Sequence, residues 1–225
     1  MNENRLRQDL IEAARRMNAL GLNRGTSGNL SVRSKDGLLV TPSGQDYNTM
    51  KPEQIIAMEW SGDWTTSDAS LRPTSEWRFH RDILAARPDV HAIVHAHPPF
   101  ATALACLRKD IPAFHYMVAI GGGTIIKCSA YETFGSEALS KAALNALGER
   151  RACLLANHGM IACGATIEEA LALGLEVEGL AEQYTYALQI GEPAILSNDE
   201  MEHILEKFRA GYGYASEPGG DGSGD

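Results

Sequence analysis

The sequence predicts one α/β domain with strands and helices interspersed, on three observations. Short apolar or alternating runs, such as Ile93-Val94 and Cys153-Leu154-Leu155, have the length and character of buried strands. Longer segments with apolar residues three and four apart lie between those runs and read as helices. No internal repeat or linker divides the chain. Residues 1–215 therefore read as one domain, followed by a Gly- and acid-rich tail, residues 216–225, that has no packing pattern and is expected to be mobile.

Residues 4–20 set Leu6, Leu10, Ala13, Ala14 and Met17 on one helical face, and Gly21 stops that helix. Residues 29–33 and 38–41 flank Asp36-Gly37 and read as a β-hairpin. Lys51-Pro52-Glu53 opens a short helical turn, residues 55–60 form a strand, and Gly62-Asp63 turns the chain. A helix begins at Pro73, with Thr74 or Ser75 as N-cap, and ends at about Arg87 before Pro88. A strand entered from Val90 follows, ended by Pro98-Pro99, and the next helix carries residues 101–107. Gly121-Gly122-Gly123 is a strand connection rather than a nucleotide loop, because neither GxGxxG nor a P-loop Gly-Lys-Ser/Thr is present. Its strand spans residues 124–128. Residues 137–147 are helical, and two apolar strands within residues 151–163 enclose Asn157-His158-Gly159. A long helix, 167–190, turns Leu171, Leu175 and Leu180 to the core, and residues 198–208 form the last helix.

The formal net charge of -9 argues against a nucleic-acid surface, which needs clustered cations. It leaves room for a small phosphorylated ligand, which backbone N–H groups and hydroxyls can hold. No apolar run is long enough to cross a bilayer, and the polar start Met1-Asn2-Glu3-Asn4-Arg5-Leu6 is not that of a secretory signal. Cys106, Cys128, Cys153 and Cys163 show no CxxC spacing and fit reduced thiols in the cytoplasm.

The chemistry concentrates in Val94-His95-Ala96-His97-Pro98. Side chains two apart on a strand share a face, so His95 and His97 converge at the strand's tip. They read either as two metal ligands or as two satisfied polar histidines. His158, in the turn between two apolar strands, meets them if both tips share one edge of the sheet. Three imidazoles with an open position are the donor set of a catalytic zinc. Glu76, at a helix start, can supply a fourth ligand or an acid/base carboxylate. His80, His91, His115 and His203 lack this positional logic; His80 and His203 read as helix-surface or packing residues. Three segments rich in hydroxyls and N–H groups, residues 25–29, residues 41–44 and Thr74-Ser75, suit a phosphate close to the metal.

The ordered strings SGN, TPSG, TSEWRFH, VHAHP, HYM, YETFG and NHGMIAC resemble the class II aldolase/adducin family, closest to its L-fuculose-1-phosphate aldolase branch. The resemblance runs from about residue 6 to residue 208. It implies a three-layer αβα sandwich around a mostly antiparallel sheet, and a homotetramer with active sites between subunits. By the same resemblance His95, His97 and His158 match zinc ligands, and Glu76 matches the catalytic carboxylate, itself a labile ligand. Asn29, Ser43, Gly44, Thr74 and Ser75 match phosphate-binding positions. Thr74 stands where the family commonly has Ser, and Ser43 where it often has Thr, so a hydroxyl is kept at both. Tyr116 and Phe134 match residues that reach the pocket from a neighbouring subunit, and Tyr212, with Tyr214 as a rival, matches a tyrosine that closes it. The implied reaction cleaves a ketose 1-phosphate to dihydroxyacetone phosphate and an aldehyde through a zinc-stabilised enediolate. The substrate is L-fuculose 1-phosphate or a 5-deoxy- or 5-methylthio-ribulose 1-phosphate. Imidazole ligands also accept manganese, cobalt or iron(II). Alternatives on the same site are a sugar-phosphate 4-epimerase, a methylthioribulose-1-phosphate dehydratase or a non-catalytic adducin-like scaffold; Glu76 within SEWRFH favours the aldolase.

Overall fold

The structure is a computed structural model, and it describes residues 2–66 and 68–211. Its centre is one eight-stranded sheet in the order β4-β3-β2-β1-β5-β8-β7-β6. The strands are β1 (Asn29–Arg33), β2 (Gly37–Val40), β3 (Ile56–Glu59), β4 (Trp64–Thr65), β5 (Ala92–Ala96), β6 (Lys127–Cys128), β7 (Ala152–Leu155) and β8 (Gly159–Gly164). Every neighbouring pair is antiparallel except β6 with β7. Among the described residues six α-helices cover it: α1 (Glu3–Ala19), α2 (Trp77–Ala86), α3 (Pro99–Cys106), α4 (Glu137–Leu147), α5 (Ile167–Ile190) and α6 (Asn198–Arg209).

Alternation along the central strands builds the layers. Ile93, Cys153, Leu155, Ile161 and Cys163 pack toward Phe79 and Ile83 of α2 and Leu139 and Ala143 of α4. Their neighbours point the other way: Ala92 and Val94 join Leu10 and Met17 of α1 and Leu171 of α5, while Met160 and Ala162 join Leu104 of α3 and Val177 of α5. A sheet with both faces covered needs strands that are apolar on both sides, which is why β5, β7 and β8 read as continuous apolar runs. This is the expected αβα sandwich with a mostly antiparallel sheet.

Three local expectations need correction. Helix α2 starts at Trp77 with Glu76 at the N-cap position, not with Thr74 or Ser75. Pro73 is bridged to Pro42, and Thr74 N donates to Thr41 O at 3.1 Å, so strand-like pairing holds these residues outside the helix. The strand expected over residues 124–128 shrinks to β6, because a 3-10 helix, Tyr116–Gly121, uses the chain before it and Ile126 makes only an isolated bridge to Ile111. Strand β4, a two-residue edge carrying Trp64, was not expected. The tail beyond residue 215, with Tyr212 and Tyr214, lies outside the described residues.

Two further features set up the strand ends. Pro98-Pro99 turn the chain from β5 into α3, whose first turn is capped from another element: the Glu178 carboxylate accepts from Phe100 N at 2.9 Å and Ala101 N at 2.8 Å. The β7–β8 turn docks on the other end of α3, with Asn157 N donating to Ala105 O at 2.9 Å. Asn157 itself takes a left-handed φ of 54°, a conformation asparagine tolerates better than most residues.

Candidate active site

β1, β5 and the β7–β8 turn end on the same edge in the middle of the sheet. β5 lies between β1 and β8, with Asn29 opposite His95 and Ile161 opposite His95 on the other side. His95 is the fourth residue of β5, His97 lies just past it, and His158 precedes β8. Glu76 reaches the same point from the start of α2. Each of these four residues offers one ligand atom, and the atoms lie within 4.8 Å of one another.

The three rings form a near-equilateral triangle, with centroids 4.8, 4.8 and 4.9 Å apart and interplanar angles of 63–76°. His95 Nδ1 lies 2.9 Å from Met160 O, and a carbonyl only accepts, so Nδ1 carries the hydrogen. The His95 Nε2 lone pair therefore points into the cluster, 2.9 Å from His97 Nε2 and 3.1 Å from Glu76 Oε2. Nitrogen and oxygen lone pairs this close need a proton or a cation between them. Glu76 Oε1 is buried and makes no hydrogen bond, although it is 3.1 Å from His158 Nε2. An orphaned buried carboxylate oxygen among inward-facing imidazoles fits a divalent metal, whose ligand-bearing histidines usually donate their other N–H to the protein as His95 does.

Charge follows the same logic. Burial pushes the Glu76 carboxyl up, but His95 and His158 outweigh it and hold it well below the usual carboxylate range. Burial, with His95 and His158 nearby, pushes the His97 imidazole down to about 3, so it stays neutral and available as a ligand. Glycine is required where β8 begins. A Cβ on Gly159 would lie 2.5 Å from Ala96 O and 2.6 Å from His97 Cδ2, so only a bare backbone lets the His158 turn approach the His97 ring.

The cluster opens into a cavity of about 330 Å³ lined by Ser27, Ser75, Glu76, His97, Tyr131, Glu132, Phe134, Asn157 and His158. Of the expected phosphate positions, Ser75 lines this space. Asn29 lies behind it and donates from Nδ2 to Glu76 Oε2 at 3.0 Å. Ser43 and Thr74 are stitched side by side, with Ser43 N donating to Arg72 O at 2.9 Å and Thr74 N to Thr41 O at 3.1 Å. Gly44, with φ 68°, follows on that turn. Neither Ser43, Gly44 nor Thr74 is in the cavity lining. Tyr116 is 41% exposed and borders a separate groove with Phe114, Leu196 and Phe208. Sequence reasoning missed Tyr131, Glu132 and Asn157 as cavity residues, although Tyr131 and Glu132 sit in the same YETFG string as Phe134. Of the two readings of His80, helix surface or packing, the structure has the second: the ring is fully buried, and it is hydrogen-bonded to Asn29 and Ser31, partners the sequence did not indicate. His203, on α6, stays apart from the site.

Among the described residues, no helix is long and apolar enough to cross a membrane. Residues 8–185 match the family described as Class II Aldolase and Adducin N-terminal domain. A 5-methylthioribulose-1-phosphate/5-deoxyribulose-1-phosphate aldolase of Rhodospirillum rubrum is 57% identical over 204 residues, 91% of each chain. An L-fuculose phosphate aldolase of Escherichia coli is 43% identical over 210 residues, 93% of this chain and 96% of the relative. The solved structure of an L-fuculose 1-phosphate aldolase superimposes with a TM-score of 0.87 at 39% identity, covering 91% of this chain and 96% of that one. The chain therefore belongs to the class II aldolase/adducin family, and it is an aldolase.

Proposed function

We propose that this protein cleaves a ketose 1-phosphate reversibly to dihydroxyacetone phosphate and an aldehyde, with zinc held by His95, His97, His158 and Glu76. The observation that carries this reading is the convergence of those four side chains beside the cavity that Ser75 and Phe134 line. Three imidazoles and a carboxylate are a borderline donor set that suits zinc, and also manganese, cobalt or iron(II). A bound divalent ion supplies Lewis-acid stabilisation for the negative charge that develops on the substrate's carbonyl and hydroxyl oxygens.

The rest falls to the protein's own groups. Asn29, Ser43, Gly44, Thr74 and Ser75 hold the phosphate end, which favours hydroxyls and N–H groups over a basic patch in so acidic a chain. One Nδ2 hydrogen of Asn29 serves Glu76, leaving the other for the substrate. Glu76 delivers a proton to the carbon left by C3–C4 cleavage, or removes one in the condensation direction. Phe134, expected to come from a neighbouring subunit, lines the cavity of its own chain and meets the aldehyde half. Tyr116, exposed and beside a separate groove within its own chain, reaches the site of a neighbouring subunit in a homotetramer, and Tyr212, or Tyr214 in its place, closes it. These tyrosines handle the proton of the C4 hydroxyl. Residues 1–215 serve as one catalytic domain in the cytoplasm, where the four cysteines stay reduced.

5-Methylthioribulose 1-phosphate and 5-deoxyribulose 1-phosphate stand ahead of L-fuculose 1-phosphate. The 57% identical relative carries the first two in its name, and the aromatic rim of Tyr131 and Phe134 suits a methyl or thioether terminus. The test is dihydroxyacetone phosphate release from all three, with and without a chelator. Chelator-sensitive release, fastest from the two ribulose 1-phosphates, is expected. A metal-loaded protein that releases none from any of them overturns the proposal in favour of the epimerase or dehydratase chemistry.

A further inference from the structure

Behind Glu76 lie three buried polar side chains, Asn29, Ser31 and His80. Asn29 and Ser31 are two apart on β1 and face the same way, toward α2, while Glu76 and His80 are four apart at the start of α2 and face the sheet. Their hydrogen bonds run in one direction only. A carboxylate at Glu76 can only accept, so the group 3.0 Å from Oε2 is the Asn29 amide nitrogen. That turns Asn29 Oδ1 to His80 Nε2, 2.6 Å away, and a carbonyl oxygen requires Nε2 to carry the hydrogen. His80 Nδ1 is then bare and accepts from Ser31 Oγ at 2.8 Å. The reverse orientation of the Asn29 amide would set two acceptors against each other at Glu76, where both side chains are buried.

We infer that His80, backed by Ser31, is a positioning residue: it locks the Asn29 amide so that Nδ2–H holds Glu76 Oε2, leaving Oε1, a metal ligand at rest, as the oxygen that exchanges a proton with the substrate carbon once substrate displaces it. Burial, with His95 nearby, pushes His80 down to about 3, so the ring stays neutral and keeps this role across the physiological range. The consequence for Oε1 rests on the aldolase reading. The relay itself stands on geometry alone.

The proton step can be isolated by incubating the metal-loaded protein with dihydroxyacetone phosphate in D₂O without aldehyde and following C–H loss by NMR. Glu76 Oε1 takes the proton as the C–H bond breaks, the electron pair stays on the substrate, and the carboxyl returns a deuteron after exchange with solvent. His80→Phe is expected to keep its metal and slow this exchange about 10–100-fold, while His80→Gln, which retains a donor near Nε2, stays within about threefold of the wild type. A merely structural role would lower both variants alike or strip the metal. Nitrogen NMR of ¹⁵N-labelled protein provides the second readout. It is expected to find His80 as the Nε2–H tautomer in the wild type, and a slowly exchanging Asn29 side-chain N–H that Ser31→Ala loosens. Unslowed deuterium exchange in a metal-loaded His80→Phe, or an Nδ1–H tautomer in the wild type, overturns the inference. If His80→Phe does not fold, the tautomer and the Ser31→Ala response decide it. A wild type with the Nε2–H tautomer that exchanges no deuterium refutes the aldolase reading and leaves the relay standing.

Discussion

The inner wall of the cavity and its rim are built in opposite ways. On the wall Glu76 is 5% exposed, and directly behind it Asn29 is 5% exposed while His95 and His80 are fully buried. Each is held by a side chain or carbonyl that is itself held. At the rim, Phe134 is 68% and Tyr131 52% exposed. Arg108 lies over the Tyr131 ring at 6.0 Å, and its Nε donates to Asn157 Oδ1 at 3.0 Å, a contact on the surface rather than in the core. The wall sits on strand ends and a helix start, held by the sheet ladder and the first turn of α2; the rim sits on the segment between β6 and α4. Metal and proton chemistry tolerate little displacement, so they belong on rigid elements. Distinguishing one sugar terminus from another takes only apolar contact, which an exposed loop can provide and vary.

Substitutions test this contrast in order of size. His97→Ala removes one of three imidazoles and should cost at least about 10³-fold in aldol cleavage, because the Lewis-acid contribution of a bound ion is several kcal/mol. Metal content by mass spectrometry should fall with it, and full metal occupancy with full activity would break the proposed centre.

Gly159→Ala changes no functional group yet strikes the Ala96 carbonyl and the His97 ring. Overpacking of this kind costs about 1–3 kcal/mol, read as a lower denaturation midpoint, and should weaken metal retention at the same time. If stability falls but metal affinity does not, the two strand tips are less tightly coupled than their packing implies.

Acid titration separates the buried wall from everything else. His80 is neutral in the fold down to about 3, against an ordinary 6.5. Above about pH 6.5 neither state is protonated, and its full contribution to stability is present. As pH falls from 6.5 toward 3 the unfolded chain takes up a proton that the folded one refuses. Stability then drops by about 1.4 kcal/mol per pH unit from this group. His80→Gln should flatten the acid limb of urea-denaturation stability by about one proton; an unchanged slope would mean that His80 is protonated in the native state.

The smallest effect is expected at the rim. Phe134→Ala should leave metal content and folding stability unaltered and change the relative kcat/KM for a methylthio and a hydroxylated terminus by about tenfold or less. A much larger loss, shared equally by all substrates, would place Phe134 with the wall.

The sequence by itself determined the elements and the candidate ligands. Helical spacing marked α1 and the core-facing side of α5, the latter at its full observed length, because an amphipathic or buried stripe is a local pattern, while caps and prolines bounded others. Two-residue spacing put His95 and His97 on one face, and the flanking Pro98-Pro99 put them at a tip. Family resemblance, carried by strings spread across the chain, supplied the three-layer arrangement that no local pattern contains. The start of α2 was misread because Pro73, Thr74 and Ser75 have good helix-start chemistry locally, while the bridge to residues 41–42, more than thirty positions away, claims their backbone.

Only the tertiary structure decided what His80 does. By sequence it is one histidine in a helix. It gains a partner because β1 brings Asn29 and Ser31 under α2, and pairing across the sheet is what sets Asn29 opposite His95. Tyr131 and Asn157 enter the cavity for the same reason, as residues of separate segments that meet only when the strand ends align. A ligand type can be read from residue chemistry and spacing; a hydrogen-bond direction needs both partners in place, since the carboxylate that can only accept is what orients every group behind it.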